Sequence, residues 1–183
     1  MHEAGAARPQ QESGRWHREG EGYAQYLSLS AAGAWAELLR YLSIHTPALA
    51  VEQRRHLWAV TVAETQIADL ADFAAWTDCG LDPAIAVEDH TRSQSLAQEL
   101  LDAGYRGVLA PSAALPGAVN LTLFGERYEW SPLLGPVPDP TLWLAVELAA
   151  PEAHPPTDLL AVTRYQGQPH AGLQAYLAGR GAG

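Results

Sequence analysis

Three residues near the start of the chain have types and spacing suited to chemistry on an anionic, flat-ringed substrate: Arg15, Tyr26 and Glu37, set eleven residues apart. A guanidinium in a loop bounded by Gly14 and by Gly20-Glu21-Gly22 can grip a phosphate through parallel N–H donors, which an ammonium does less well. A tyrosine ring can stack on an aromatic base. A carboxylate can stabilise a developing cation. Much later comes Ser112, behind Pro111 at the end of an apolar run, where a hydroxyl can point into a pocket. Asn120, inside Val-Asn-Leu-Thr-Leu-Phe, can pair its amide with a ligand or with local backbone. Each has a plainer reading. Arg15 can stack on Trp16 at the surface, Tyr26 can be a half-buried strand residue, Glu37 a solvated helix residue and Ser112 a packing residue.

For the chemical reading to hold, a loop, a strand and a helix must bring these side chains together. The sequence predicts a strand over 23–29 and a helix over 31–42 capped by Ser30. Ala31, Trp35, Leu38, Leu39 and Leu42 share that helix's core face, and Glu37 lies on the other side with Arg40. Pro47 is expected to end the helical region. A buried strand is expected over 57–63, a short one over 67–70 and a helical turn over 72–79 closed by Gly80. Asp82-Pro83 reads as the start of another short helix. A longer helix over 92–103 fits a Thr91/Gln94 capping box and a Gly104 stop, with Leu96, Leu100 and Leu101 facing the core. Strands follow over 105–110 and 119–124, then an irregular proline-rich stretch over 132–140. Further strands are expected over 142–148 and 159–165, and a weak helix with a glycine tail over 168–183. Strands mixed with helices in no strict alternation imply a single α+β domain, a mixed or antiparallel sheet with flanking helices. Residues 1–12 read as a flexible lead-in, 13–167 as the domain and 168–183 as a terminal helix and tail.

Composition narrows the function classes. A chain of 183 residues with 48% hydrophobic and 17% charged residues can build one real core. A net charge of −10 disfavours nucleic acid and anionic membrane as partners. The single cysteine, Cys79, rules out an internal disulfide and a multi-cysteine zinc site. The seven histidines, His45, His56 and His90 among them, show no ligand spacing, so no metal is expected. The polar start lacks a signal peptide's apolar core, and the most apolar window, 142–150, is interrupted by Glu147. The cytoplasm is therefore the expected location. Ser112 lacks the glycines of a nucleophile elbow, and Gly20-Glu21-Gly22 lacks the third glycine of a dinucleotide fingerprint.

Taken together, the ordered set resembles the RES-domain family, most clearly over 13–125. It comprises Gly14-Arg15-Trp16, Tyr26-Leu27-Ser28, Ala36-Glu37, Cys79-Gly80-Leu81, Gly104, Pro111-Ser112-Ala113 and Asn120-Leu121 running into Leu123-Phe124. The resemblance implies an ADP-ribosyltransferase-like fold and attack on NAD, as substrate, at its nicotinamide–ribose bond by hydrolysis or phosphorolysis. It also implies a toxin restrained by an Xre-type helix-turn-helix antitoxin. Transfer of ADP-ribose to a protein target, or a catalytically weak NAD-binding relative, stands as an alternative. Arg15 would hold the NAD phosphates, and Tyr26 would stack beside nicotinamide. Glu37 would hold the ribose hydroxyls and stabilise the transition state. Ser28, Ser112 and Asn120 would complete the binding set. Relatives commonly carry Asn where this chain has His17. Many also carry a further phosphate-binding arginine on an earlier strand, where this chain has Arg8 alone.

Overall fold

The computed structural model describes residues 11–125, 130–131, 135–136 and 143–181. In chain order these form β1 (Ala24–Ser28), α1 (Ala31–Tyr41), α2 (Pro47–Glu52), β2 (Arg55–Val62), β3 (Ile67–Asp69), α3 (Phe73–Asp78) and α4 (Ala84–Val87). There follow α5 (His90–Asp102), β4 (Gly107–Pro111), β5 (Val119–Phe124), β6 (Trp130–Ser131), β7 (Gly135–Pro136) and β8 (Trp143–Ala153). A 3-10 helix (Thr157–Ala161) and α6 (Ala171–Arg180) complete the order. The expected 132–140 connection and the 182–183 tail lie largely outside the described residues.

The site depends on one mixed sheet, ordered β1-β5-β4-β3. β5 pairs antiparallel with β1 and β4, and β3 joins β4 in parallel. The register places Ser28 opposite Asn120, and Asn120 opposite Ala110. The end of β1, the start of β5 and the end of β4 thus meet at one edge, where Ser112 follows. Gly107 is required on β4, because a Cβ there would lie 2.5 Å from the Thr122 carbonyl oxygen. Below the sheet, Trp16, Trp76, Leu96, Val108, Phe124 and Leu173 share one apolar cluster. Each large side chain so buried contributes on the order of 2–3 kcal/mol. The Trp76 indole donates to the Leu70 carbonyl at 2.8 Å, so its one polar atom is satisfied.

α1 begins where the sequence places it, with the Ser30 hydroxyl accepting from the Gly33 amide at 3.0 Å. It buries Gly33, Trp35, Ala36 and Leu39 against Ile44, Ala50 and Leu159, whereas Ala31 and Leu42 are exposed. Gly33 lets the helix start close against β1, because a Cβ would run into the Ser28 hydroxyl.

Several expectations are corrected. Pro47 opens α2 rather than ending a helix, since Thr46 caps it and a proline fits the first turn, where its missing N–H costs nothing. β2 is not a buried strand. Among the described residues it pairs with β8 alone, outside the main sheet, and its residues are exposed or half-buried. α5 starts at His90, capped by Asp89, whose carboxylate accepts from the Arg92 amide at 2.9 Å. Thr91 therefore lies inside the helix, and Leu101 is 39% exposed. The expected strand at 159–165 is instead the 3-10 helix and a loop, because Pro155-Pro156 break the chain just before it. Among the described residues no helix is long and apolar enough to cross a membrane.

Candidate active site

Tyr26 projects from β1 onto the loop before it. Its hydroxyl accepts from the Trp16 amide at 2.9 Å and pairs with His17 Nδ1 at 2.9 Å. Gly14 makes room, since a Cβ there would sit 2.5 Å from the Tyr26 hydroxyl. The loop closes on itself through the Gly14 amide and the His17 carbonyl at 3.0 Å. Gln94 of α5 then clamps both carbonyls, Gly14 at 2.8 Å and His17 at 3.3 Å. Burial pushes the Tyr26 phenol up to about 12, yet 44% of the residue is exposed. The hydroxyl end is fixed and ring surface is left open.

Arg15 turns inward from the same loop. One guanidinium nitrogen, Nη2, donates to the Val87 carbonyl at 3.2 Å, where α4 ends. The other, Nη1, is buried with no hydrogen-bond partner among the described residues. Burial pulls this guanidinium down to about 10, with Glu37 acting in the opposite direction. The two charges therefore feel each other, but they form no ion pair among the described residues.

Glu37 is not a solvated helix residue. Its Oε1 accepts from the Ser112 hydroxyl at 2.7 Å and from the Asn120 amide at 2.7 Å. Three elements (α1, the turn after β4, and β5) thus converge on one carboxylate oxygen, leaving Oε2 outside that network. Ser112 has a different place from the substrate contact expected of it. It is fully buried, and its oxygen also accepts from the Ala114 and Leu115 amides at 3.2 and 3.0 Å. A hydroxyl with its proton and both lone pairs engaged has nothing left for a ligand. Its position is behind Glu37. Asn120 gives its NH2 to Glu37, while its Oδ1, like the Ser28 hydroxyl opposite it, is buried without a partner among the described residues.

Other residues at the site escaped sequence reasoning. Arg40 lies three residues beyond Glu37, and its Nη1 donates to the Arg164 carbonyl at 2.9 Å. Its helical spacing from Glu37 was the available signal. Arg164 and His170 come from the C-terminal segment and carried no local signal. His170 Nε2 meets the Ser112 carbonyl at 3.1 Å and Nδ1 accepts from the Leu173 amide at 3.0 Å, which fixes the neutral tautomer with the proton on Nε2. A separate groove of about 370 Å³, lined by Tyr23, Leu101, Tyr105 and Arg106 among others, lies at the opposite end of the sheet from Glu37.

A family model described as RES domain matches residues 1–147. The chain belongs to this family. The match starts before, and runs beyond, the 13–125 stretch where the resemblance is clearest in the sequence. The protein named "Probable NAD(+) phosphorylase Rv3189" of Mycobacterium tuberculosis (strain ATCC 25618 / H37Rv) is 38% identical over 119 residues. That alignment covers 64% of this chain and 56% of the relative, so the RES chain matches little more than half of that protein's length. The crystal structure of the M. tuberculosis MbcT-MbcA toxin-antitoxin complex shares the fold. Its TM-score is 0.53 at 20% identity, covering 81% of this chain and 74% of the matched chain. The α+β expectation holds.

Proposed function

We propose that this chain cleaves the nicotinamide–ribose bond of NAD in the cytoplasm and passes the ADP-ribosyl group to phosphate or water. One observation carries the reading. Around the Glu37 carboxylate, Arg15 Nη1, Ser28 Oγ and Asn120 Oδ1 are all buried without partners among the described residues. Native interiors rarely leave such atoms unpaired, and three together at one carboxylate are what a site built for a polar ligand presents. A donor for phosphate, acceptors for hydroxyl or amide groups, a carboxylate and an exposed tyrosine ring match the parts of NAD.

The geometry supports the following roles. Arg15 offers its unpaired nitrogen to the diphosphate. Tyr26 offers its open ring to a flat base. Glu37 Oε2 faces the ribose and stabilises positive charge as the carbon–nitrogen bond breaks. The electron pair leaves with the ring nitrogen, releasing neutral nicotinamide. A phosphate oxygen then bonds to the ribose carbon and gives ADP-ribose 1″-phosphate, or water does so and gives ADP-ribose and a proton. Ser112 and Asn120 hold the carboxylate in place. The name of the curated relative supports NAD and phosphate as reactants. The fold shared with one component of a toxin-antitoxin complex supports a toxin with a cognate antitoxin, here an Xre-type helix-turn-helix protein.

The test is to incubate purified protein with NAD, with and without phosphate, and to follow nicotinamide release. The wild type is expected to release nicotinamide, faster with phosphate. Glu37→Gln is expected to lose about 10²-fold or more while melting normally. A folded Glu37→Gln with unchanged turnover would remove Glu37 from the chemistry. Absence of turnover in the wild type, with NAD still bound, would favour a transferase that needs a protein acceptor.

A further inference from the structure

We infer that Arg164, from the C-terminal segment beyond the family match, completes a three-guanidinium site with Arg15 and Arg40 that takes a diphosphate. This deepens the reading above and rests on it for the identity of the ligand, though not for the anion chemistry. The Val87 carbonyl oxygen accepts from Arg15 Nη2 at 3.2 Å and from Arg164 Nη1 at 3.1 Å. The two guanidinium groups are therefore within two hydrogen-bond lengths of each other. Arg40 closes the triangle by donating to the Arg164 backbone at 2.9 Å. Arg164 is only 8% exposed, and its Nε donates to the Gln168 carbonyl. It cannot swing away.

Charge within the cluster does not balance. Burial disfavours the cationic form of all three arginines, and Arg15 and Arg164 are disfavoured further by their arginine neighbours. Against three cations stand Glu37, already bonded to Ser112 and Asn120, and Glu88, 3.5 Å from Arg164 Nη2 with a side chain 44% exposed. Solvent screens the Glu88 charge. His90 faces the same groups and is kept neutral by burial and by Arg15 and Arg40, while Asp89 opposes that effect. Like charges crowded in a half-dry pocket, with one buried N–H unpaired, are stabilised when a multiply charged anion enters. In a chain of net charge −10, this local excess is the departure that needs a ligand. Arg164 acts as a positioning residue. It shares the oxygen that holds Arg15 and supplies a fixed charge behind it, while Arg15 Nη1 makes the direct contact.

The test is calorimetry with inorganic pyrophosphate, ADP and adenosine as probes. The wild type is expected to bind pyrophosphate and ADP more weakly as salt rises. Arg164→Met is expected to lose tenfold or more in affinity for both anions while adenosine binding stays within twofold. Arg164→Lys should recover part of that loss. Glu88→Gln, at an exposed position, is expected to tighten pyrophosphate binding severalfold, and it decides the matter if Arg164→Met does not fold. Failure of the wild type to bind pyrophosphate, an unchanged affinity in Arg164→Met, or an unchanged or weaker affinity in Glu88→Gln would overturn the proposal. Pyrophosphate binding with the expected variant pattern but no NAD turnover would sustain this site and defeat NAD phosphorolysis and hydrolysis as its use.

Discussion

Ser112→Ala separates holding the carboxylate from holding the substrate. The variant removes one of two donors to Glu37 Oε1 and leaves two amides without their acceptor. Losing a buried hydrogen bond to a charged group costs about 1.5–3 kcal/mol. With the phosphate contacts untouched, kcat is expected to fall about tenfold while KM changes little, as steady-state kinetics would show. Tyr26 allows a similar separation. Tyr26→Phe strands the Trp16 amide, at about 1–2 kcal/mol by denaturant melt, but keeps the ring. Its KM is expected to stay near the wild-type value, whereas Tyr26→Ala raises KM about tenfold. Arg15, Tyr26 and Glu37 could be singled out as candidates because each belongs to one short loop–strand–helix unit whose residue order can be recognised. Arg40 showed only its helical spacing from Glu37, and Arg164 showed nothing, because its partner lies 124 residues away.

Among the elements, the C-terminal helix docks through a buried neutral histidine, and that makes docking pH-sensitive. His170 has its pKa lowered from 6.5, first by burial. The unfolded chain therefore takes up a proton before the folded one as pH falls, so stability declines below about pH 6.5. His170→Gln is expected to start less stable and to show a shallower decline, measured as melting temperature between neutral and acidic pH. Local signals set most element positions correctly, and the errors arose where a distant partner claimed a residue. Gln94 looked like the return half of a capping box, yet its amide is held by the carbonyls of Gly14 and His17, and Asp89 takes the cap. The apolar run in β2 looked like an interior strand. It pairs with β8, and its Val60 and Val62 pack against Leu121 and Leu123 of the main sheet while the rest of the strand is not enclosed.

At the scale of the whole molecule, the segment after residue 147 belongs to the body of the protein. Leu159, Tyr165 and Leu173 are buried, and Tyr165 donates its hydroxyl to the Ile44 carbonyl. A chain stopped at residue 147 also cuts through β8 and removes His170 from the Ser112 carbonyl. It is expected to lose cooperative thermal unfolding, as circular dichroism would report, although it keeps the full family match. The Val87 carbonyl also sets an order in time. A ribosome releases the chain from its amino end, so Arg15, Glu37, Ser112 and Asn120 emerge well before Arg164. The pocket is finished only when the last stretch arrives and ties itself back to both early arms. Products of premature termination therefore lack a completed pocket, and the nascent chain acquires one only at the end of synthesis.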